Sequence, residues 1–270
     1  MINHFNRQTG ATLITVLILL VLITIIGLYA IKNSILNLKI ATNAQVQTLL
    51  MQTSDVALAH LEKNFNTNEA NNLAGTPVGQ VLLDGNQGKE LQFCFKPTEV
   101  ESNAAKNNIF FNLGDFRIIE RSSSSSATGV SEALSGDINA VCNPATMFSI
   151  SRKAIVTQVS VVNPDDPAVE MRKFELTNKN TDLKADVDTK RVRVVATSFA
   201  PAMAPSVTID EMNTCLSGRV MDDLLLRNRA ESTLGQVKVQ TLHECLNKLG
   251  VPLNTQVAEY VVRLTETKAN

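Results

Sequence analysis

Charge of one sign is what this sequence most plainly lacks. Its 25 Lys and Arg stand against 26 Asp and Glu, for a formal net charge of −1 and an isoelectric point near 6.3. That balance supplies no basic stripe for a phosphate backbone, so nothing points to nucleic acid. Catalytic signatures are missing too. There is no G-x-S-x-G, H-E-x-x-H or Walker loop, and "GTPVG" at 75–79 is too short to cradle a nucleotide. Histidine is scarce, with only His4, His60 and His243. His243 sits beside Glu244 and Cys245, but adjacent residues on a helix point apart, which argues against a thiol–imidazole pair. The four cysteines form no C-x-x-C and have no paired histidines, which argues against zinc. These absences lead to the expectation of a structural protein with no cofactor rather than an enzyme.

Charge is also missing locally. From Ala11 to Ile31 there are 21 uncharged residues, nearly all aliphatic, "ATLITVLILLVLITIIGLYAI". As a helix the run is about 32 Å long, close to the roughly 30 Å hydrocarbon core of a bilayer. A secretory signal has a shorter apolar region, about 7–15 residues, and ends at small residues of the A-x-A kind. The nearest candidate here, "GLYA" at 27–30, lacks the small residue two positions before Ala30. A core helix of a globular domain would rarely carry such a run at a terminus. Thr12, Thr15 and Thr24 fit a membrane helix, because their hydroxyls bond back to the preceding turn. Arg7 on one side and Lys32 and Lys39 on the other leave the orientation undecided by charge.

Proline and glycine are both absent from residues 32–65. Ile31, Ile35, Leu38, Val46, Leu49, Leu50, Ala57, Leu58, Leu61 and Phe65 fall mostly at three- and four-residue steps, the spacing of one apolar stripe on a helix. The expectation is a helix from Ala11 to Phe65, about 80 Å if uninterrupted, with Gly27 as the place where it would bend. "NTNEANNLAGTP" at 66–77 breaks it.

These N-terminal residues resemble a family. "MINHFNRQTG" is a short basic leader ending at Gly10, followed at once by the uncharged helix, as in type IV prepilins. "RQTGATLITVLILLVLITIIGLYAIKNS" followed by "LKIATN" is similar to the N-terminal segment of minor pilins of the PilX type, over roughly residues 7–65. The resemblance implies cleavage after Gly10 by prepilin peptidase and methylation of Ala11 as the new terminus. It further implies a single-pass inner-membrane protein with a periplasmic globular domain that later enters the pilus at its base or tip. The implied partners are other minor pilins, the major pilin and a pilus-tip adhesin. The implied processes are pilus assembly, twitching motility, adhesion and DNA uptake. One position departs from the pattern. Most pilins carry a glutamate where this chain has Thr15, and that carboxylate is thought to pair with a neighbouring subunit's amino terminus, since a lone charge at such depth is costly. Thr15 cannot make that contact, which suits a tip or priming subunit.

The fold class expected is α+β: a long N-terminal pilin-like α-helix, with a membrane half at 11–31 and an amphipathic half at 32–65, packed on an antiparallel β-sheet domain at 66–200. Strands are expected in "ELQFCFK" (90–96), "FFNLGDFRIIE" (110–120), "TMFSI" (146–150), "KAIVTQVSVV" (153–162), "EMRKFELT" (170–177) and "KRVRVVATSF" (190–199). The last two alternate charged and apolar residues, the mark of a half-exposed sheet. Turns are expected at 84–88, 121–129 and 163–168. Residues 201–270, after "APAMAPS", read as a C-terminal subdomain with one or two helices and turns at Gly235 and "LGVP".

All four cysteines, Cys94, Cys142, Cys215 and Cys245, lie beyond the membrane run, and an even number in an exported domain reads as two disulfides. Three connectivities would satisfy them, of which sequence order favours Cys94–Cys142 with Cys215–Cys245. Asp182, Asp186 and Asp188 cluster within "DLKADVDTK". Oxygen clusters suit calcium, but the EF-hand rhythm is absent and a solvated turn is the plainer reading. A type II secretion minor pseudopilin, or a membrane-anchored periplasmic enzyme or binding protein, are the alternatives to a minor pilin.

Overall fold

A computed structural model describes residues 11–66, 76–97, 116–121, 130–134, 140–150, 154–164, 187–222 and 240–265. The chain divides into two units between Val46 and Gln47. Helix α1, Ala11–Asn66, contributes to both and continues through Gly27 without a break.

In the second unit six strands form one antiparallel sheet: β1 (Glu90–Cys94), β2 (Phe116–Arg121), β3 (Val130–Leu134), β4 (Val156–Val162), β5 (Val187–Phe199) and β6 (Leu253–Thr265). Their order is β3-β2-β1-β4-β5-β6. Because side chains alternate along a strand, the register sorts them onto two faces. Leu91 pairs with Val161 and Ile118, Phe93 with Val159 and Phe116, and Val194 with Val161, so these share one face. Glu90 with Val162, Gln92 with Ser160, and Cys94 with Gln158 share the other.

The first face is covered by the second half of α1 and by α2 (Pro77–Leu82). On α1, Leu50, Thr53, Ser54, Ala57 and Leu61 are buried, at steps of three, one, three and four. The expected stripe is therefore buried only from Leu50 onward; Ile35 and Leu38 are exposed. Thr76 starts α2 by accepting from the Gly79 N–H at 3.0 Å, and Pro77 occupies the first turn, where its missing N–H costs nothing. "GTPVG" is thus a helix start.

The second face is covered by α3 (Ile209–Gly218) and α4 (Leu242–Lys248). Each begins with a capping box, Thr208 with Glu211 and Thr241 with Glu244. Helix α4 ends in a Schellman turn. Gly250, at φ 80°, donates to the Asn247 carbonyl, Val251 donates to that of Leu246, and the Leu246 and Val251 side chains share the same core.

Three expectations are corrected. The sheet is not half exposed at its centre. Helices α3 and α4 cover the face that carries Glu90, Arg117 and Arg193, and β1, β4 and residues 192–199 of β5 are buried. By contrast, Val257 and Val261 on the edge strand β6 are exposed. The described residues beyond 200 are not a separate subdomain. Strand β6 pairs with β5 over 13 residues, and residues 47–270 form one unit, so the boundary expected at 200/201 falls inside the fold. "TMFSI" is not a strand. Its segment is pinned from the side, with Cys142 N–H donating to Gln158 Oε1 at 2.8 Å, and it turns where Ala145 N–H donates to Asn143 Oδ1 at 2.9 Å. "EMRKFELT", residues 122–129 and Gly235 lie outside the described residues.

Candidate functional site

Two features stand out from the packed fold. The first is the apolar surface of α1. From Leu13 to Ile40 its large aliphatic side chains are exposed, at 50–68% of their full accessibility. Among the described residues α1 is the one helix long and apolar enough to cross a membrane, and none of its most apolar stretch is buried. Within the run, Thr24 Oγ1 donates to the Val21 carbonyl at 2.8 Å, so its hydroxyl is satisfied inside the helix. Ala11 is the first described residue of α1, Thr15 is exposed one turn further on, and Gly10 lies outside the described residues.

The second feature is a buried polar network between the sheet and the α3–α4 layer. Register places Glu90, Val162, Arg193 and Glu259 in one row across β1, β4, β5 and β6, with Arg117, Gln92 and Ser160 in the row beside it. Glu90, Gln92, Arg117, Arg193 and Asp222 are all buried. Arg117 donates to Gln92 Oε1 at 2.7 Å and to the carbonyls of Leu216 and Ser217 at 2.9 Å, closing the C-terminal turn of α3 with a cation. Arg193 donates to Asp222 at 2.8 Å and to Glu259 at 2.7 Å. Burial works against the charge on Arg193, and these bonds more than restore it. The Glu90 carboxylate accepts from Gln92 Nε2 at 2.6 Å and from the backbone N–H groups of Met221 and Asp222. Burial nevertheless dominates and pushes the Glu90 acid up to about 7.

Both disulfides favoured by sequence order are formed, Cys94–Cys142 and Cys215–Cys245, and no cysteine is free. The Cys245 sulfur is therefore unavailable as a nucleophile, and His243 Nδ1 hydrogen-bonds Thr255 Oγ1 at 3.0 Å. His60 packs its ring 5.9 Å from that of Phe95. Asp182 and Asp186 lie outside the described residues; Asp188 is in β5, opposite Leu264. Among the described residues no group of three His, Cys, Asp or Glu side chains is placed to hold a metal.

The buried network had a signal in the sequence that alternation alone obscured. Cys94 is in phase with Glu90 and Gln92 in "ELQFC", so a buried disulfide on that face requires the glutamate and glutamine to be covered as well. No protein-family model, no curated protein and no solved structure matches the chain.

Proposed function

We propose that this chain is a minor pilin, a structural subunit of a type IV pilus priming or tip complex that promotes assembly and presents a tip adhesin. The observation that carries the reading is the exposed apolar surface of α1, uncharged from Ala11 to Ile31, in the same helix whose later residues pack on an antiparallel sheet. In that reading the helix is held by lipid until filament machinery extracts it. Lipid contacts are then exchanged for contacts with neighbouring subunits' helices, a trade close to neutral in hydrophobic energy because both environments are apolar. Thr15 supports a terminal position. It offers no anionic partner to an adjacent subunit's amino terminus, so the subunit needs no neighbour stacked on that side. The paired cysteines fit an oxidising compartment beyond the inner membrane. The test is Gly10→Val. The full-length precursor is expected to accumulate in the membrane and pilus assembly to fall; unchanged processing and normal piliation would contradict the reading.

A further inference from the structure

The two disulfides staple each layer to itself and not to the other. Cys215–Cys245 joins α3 to α4, whereas Cys94–Cys142 joins β1 to the pinned segment 140–150. Apart from the chain itself, the α3–α4 layer is thus held on the sheet by packing and by the buried polar network. At the centre of that network, Glu90 grips the segment following α3. Its Oε1 accepts from Met221 N–H at 2.8 Å, and its Oε2 accepts from Met221 and Asp222 N–H at 3.0 and 3.1 Å. The Val220 carbonyl in turn accepts from the N–H of Leu242, the first residue of α4, at 2.8 Å. One side chain of β1 therefore holds the end of α3 and, through one more bond, the start of α4.

We propose that docking of the α3–α4 layer is proton-linked through Glu90: the layer is held most firmly when Glu90 carries a proton and loosens as Glu90 ionises. The groups around Glu90 set the direction. From its own strand Gln92 donates to it. From β2, Arg117 directs its hydrogen bonds to Gln92 and to the carbonyls of Leu216 and Ser217. From the clasped segment, Asp222 adds a like charge that reinforces burial, and Arg219 directs a guanidinium N–H to the Gly218 carbonyl. From β5 and β6, Arg193 and Glu259 bond each other, and Arg193 also holds Asp222. Burial and Asp222 favour the neutral acid, while the bonds from Gln92, Met221 and Asp222 favour the anion, and burial prevails. The protonated acid keeps lone pairs for the Met221 and Asp222 N–H groups and accepts from them more weakly than the anion does. When the layer lifts, Glu90 meets water and returns to the ordinary carboxylate range, near 4.5. Opening therefore releases a proton at any pH between that value and about 7. Above that window docking has to keep an ionised carboxylate dry, and the layer opens more often. Because Cys215–Cys245 couples the helices, they lift as one body.

Hydrogen exchange read by mass spectrometry on the full-length protein in detergent tests this, at pH 5.5, 7.0 and 8.5 with exchange times scaled for intrinsic rates. Protection of segments 213–222 and 242–249 is expected to fall about tenfold or more across that range, while Val156–Val162 of β4 stays unchanged. In Glu90→Gln, which mimics the neutral acid, protection of both segments is expected to be independent of pH. Constant protection in the unaltered protein, or β4 loosening in step with the helices, would overturn the proposal. If Glu90→Gln fails to fold, a carbon-13 titration of the Glu90 carboxyl in the unaltered protein decides. A midpoint near 7 supports the proposal and one below 5 overturns it.

Discussion

Ser54 of α1 and Ser198 of β5 meet at 2.8 Å, both fully buried, on the sheet face that α1 covers. Ser198 lies 2.8 Å from Thr157 Oγ1 on β4, and Ser54 Oγ also lies 3.1 Å from the Leu50 carbonyl. A hydroxyl has one proton, and Ser54 directs its own to Ser198 Oγ over the shorter distance, with the Leu50 carbonyl as the longer alternative, which leaves the Ser198 proton for Thr157 Oγ1. This chain fixes the register of α1 on two strands. Ser198→Ala breaks it in the middle and leaves Ser54 and Thr157 each short of a partner. It is expected to cost about 1–3 kcal/mol in equilibrium denaturation, more than Ser54→Ala, which leaves one orphan.

Arg193 answers a different question, because it neutralises Asp222 where water cannot. Arg193→Met is expected to destabilise the protein by about 3–5 kcal/mol by stranding that carboxylate, and Asp222→Leu in the same background should recover much of the loss. A double-mutant cycle from urea titrations reads both numbers.

The disulfides close loops of 48 and 30 residues. In the chain-entropy account each contributes about 3–4 kcal/mol. Cys215→Ser with Cys245→Ser is expected to lower the melting temperature and to expose the α3 and α4 segments to protease before the β4 region. Simultaneous cleavage throughout would show that the bridge supports the whole domain.

Overall stability follows Glu90 with a definite sign. Its folded-state pKa is raised, so its contribution is fully present below about 4.5 and is lost as pH rises through about 7. The loss is on the order of 3 kcal/mol at most. Glu90→Gln should flatten this part of the profile in denaturation midpoints measured from pH 4.5 to 8.

Much of the fold is legible in the sequence where one signal acts alone. The absence of Gly and Pro across 32–65 gives the helix, and β-branched runs in "KAIVTQVSVV" and "KRVRVVATSF" give β4 and β5. Alternation then misleads, because it reports which residues share a face and not whether that face is wet. Arg193 looks exposed in "KRVRVV" and is buried, since its charge is met by Asp222 from a segment 29 residues further along the chain. Helices α3 and α4 were marked by two T-x-x-E boxes, "TIDE" and "TLHE", each only four residues long. Strand β6 carries a weaker local mark, because "LNTQVAEYVVRLT" follows a helix stop and its partner strand lies some 65 residues earlier in the chain.

The measurement that bears most directly on the minor-pilin reading is intact mass with N-terminal peptide sequencing of the protein from membranes, with and without active prepilin peptidase. A mature terminus at methylated Ala11 that disappears when the peptidase is absent is expected, together with a mass increase of four hydrogens on reduction. A terminus at Met1 in both preparations, or one beyond Ala30, would contradict that reading.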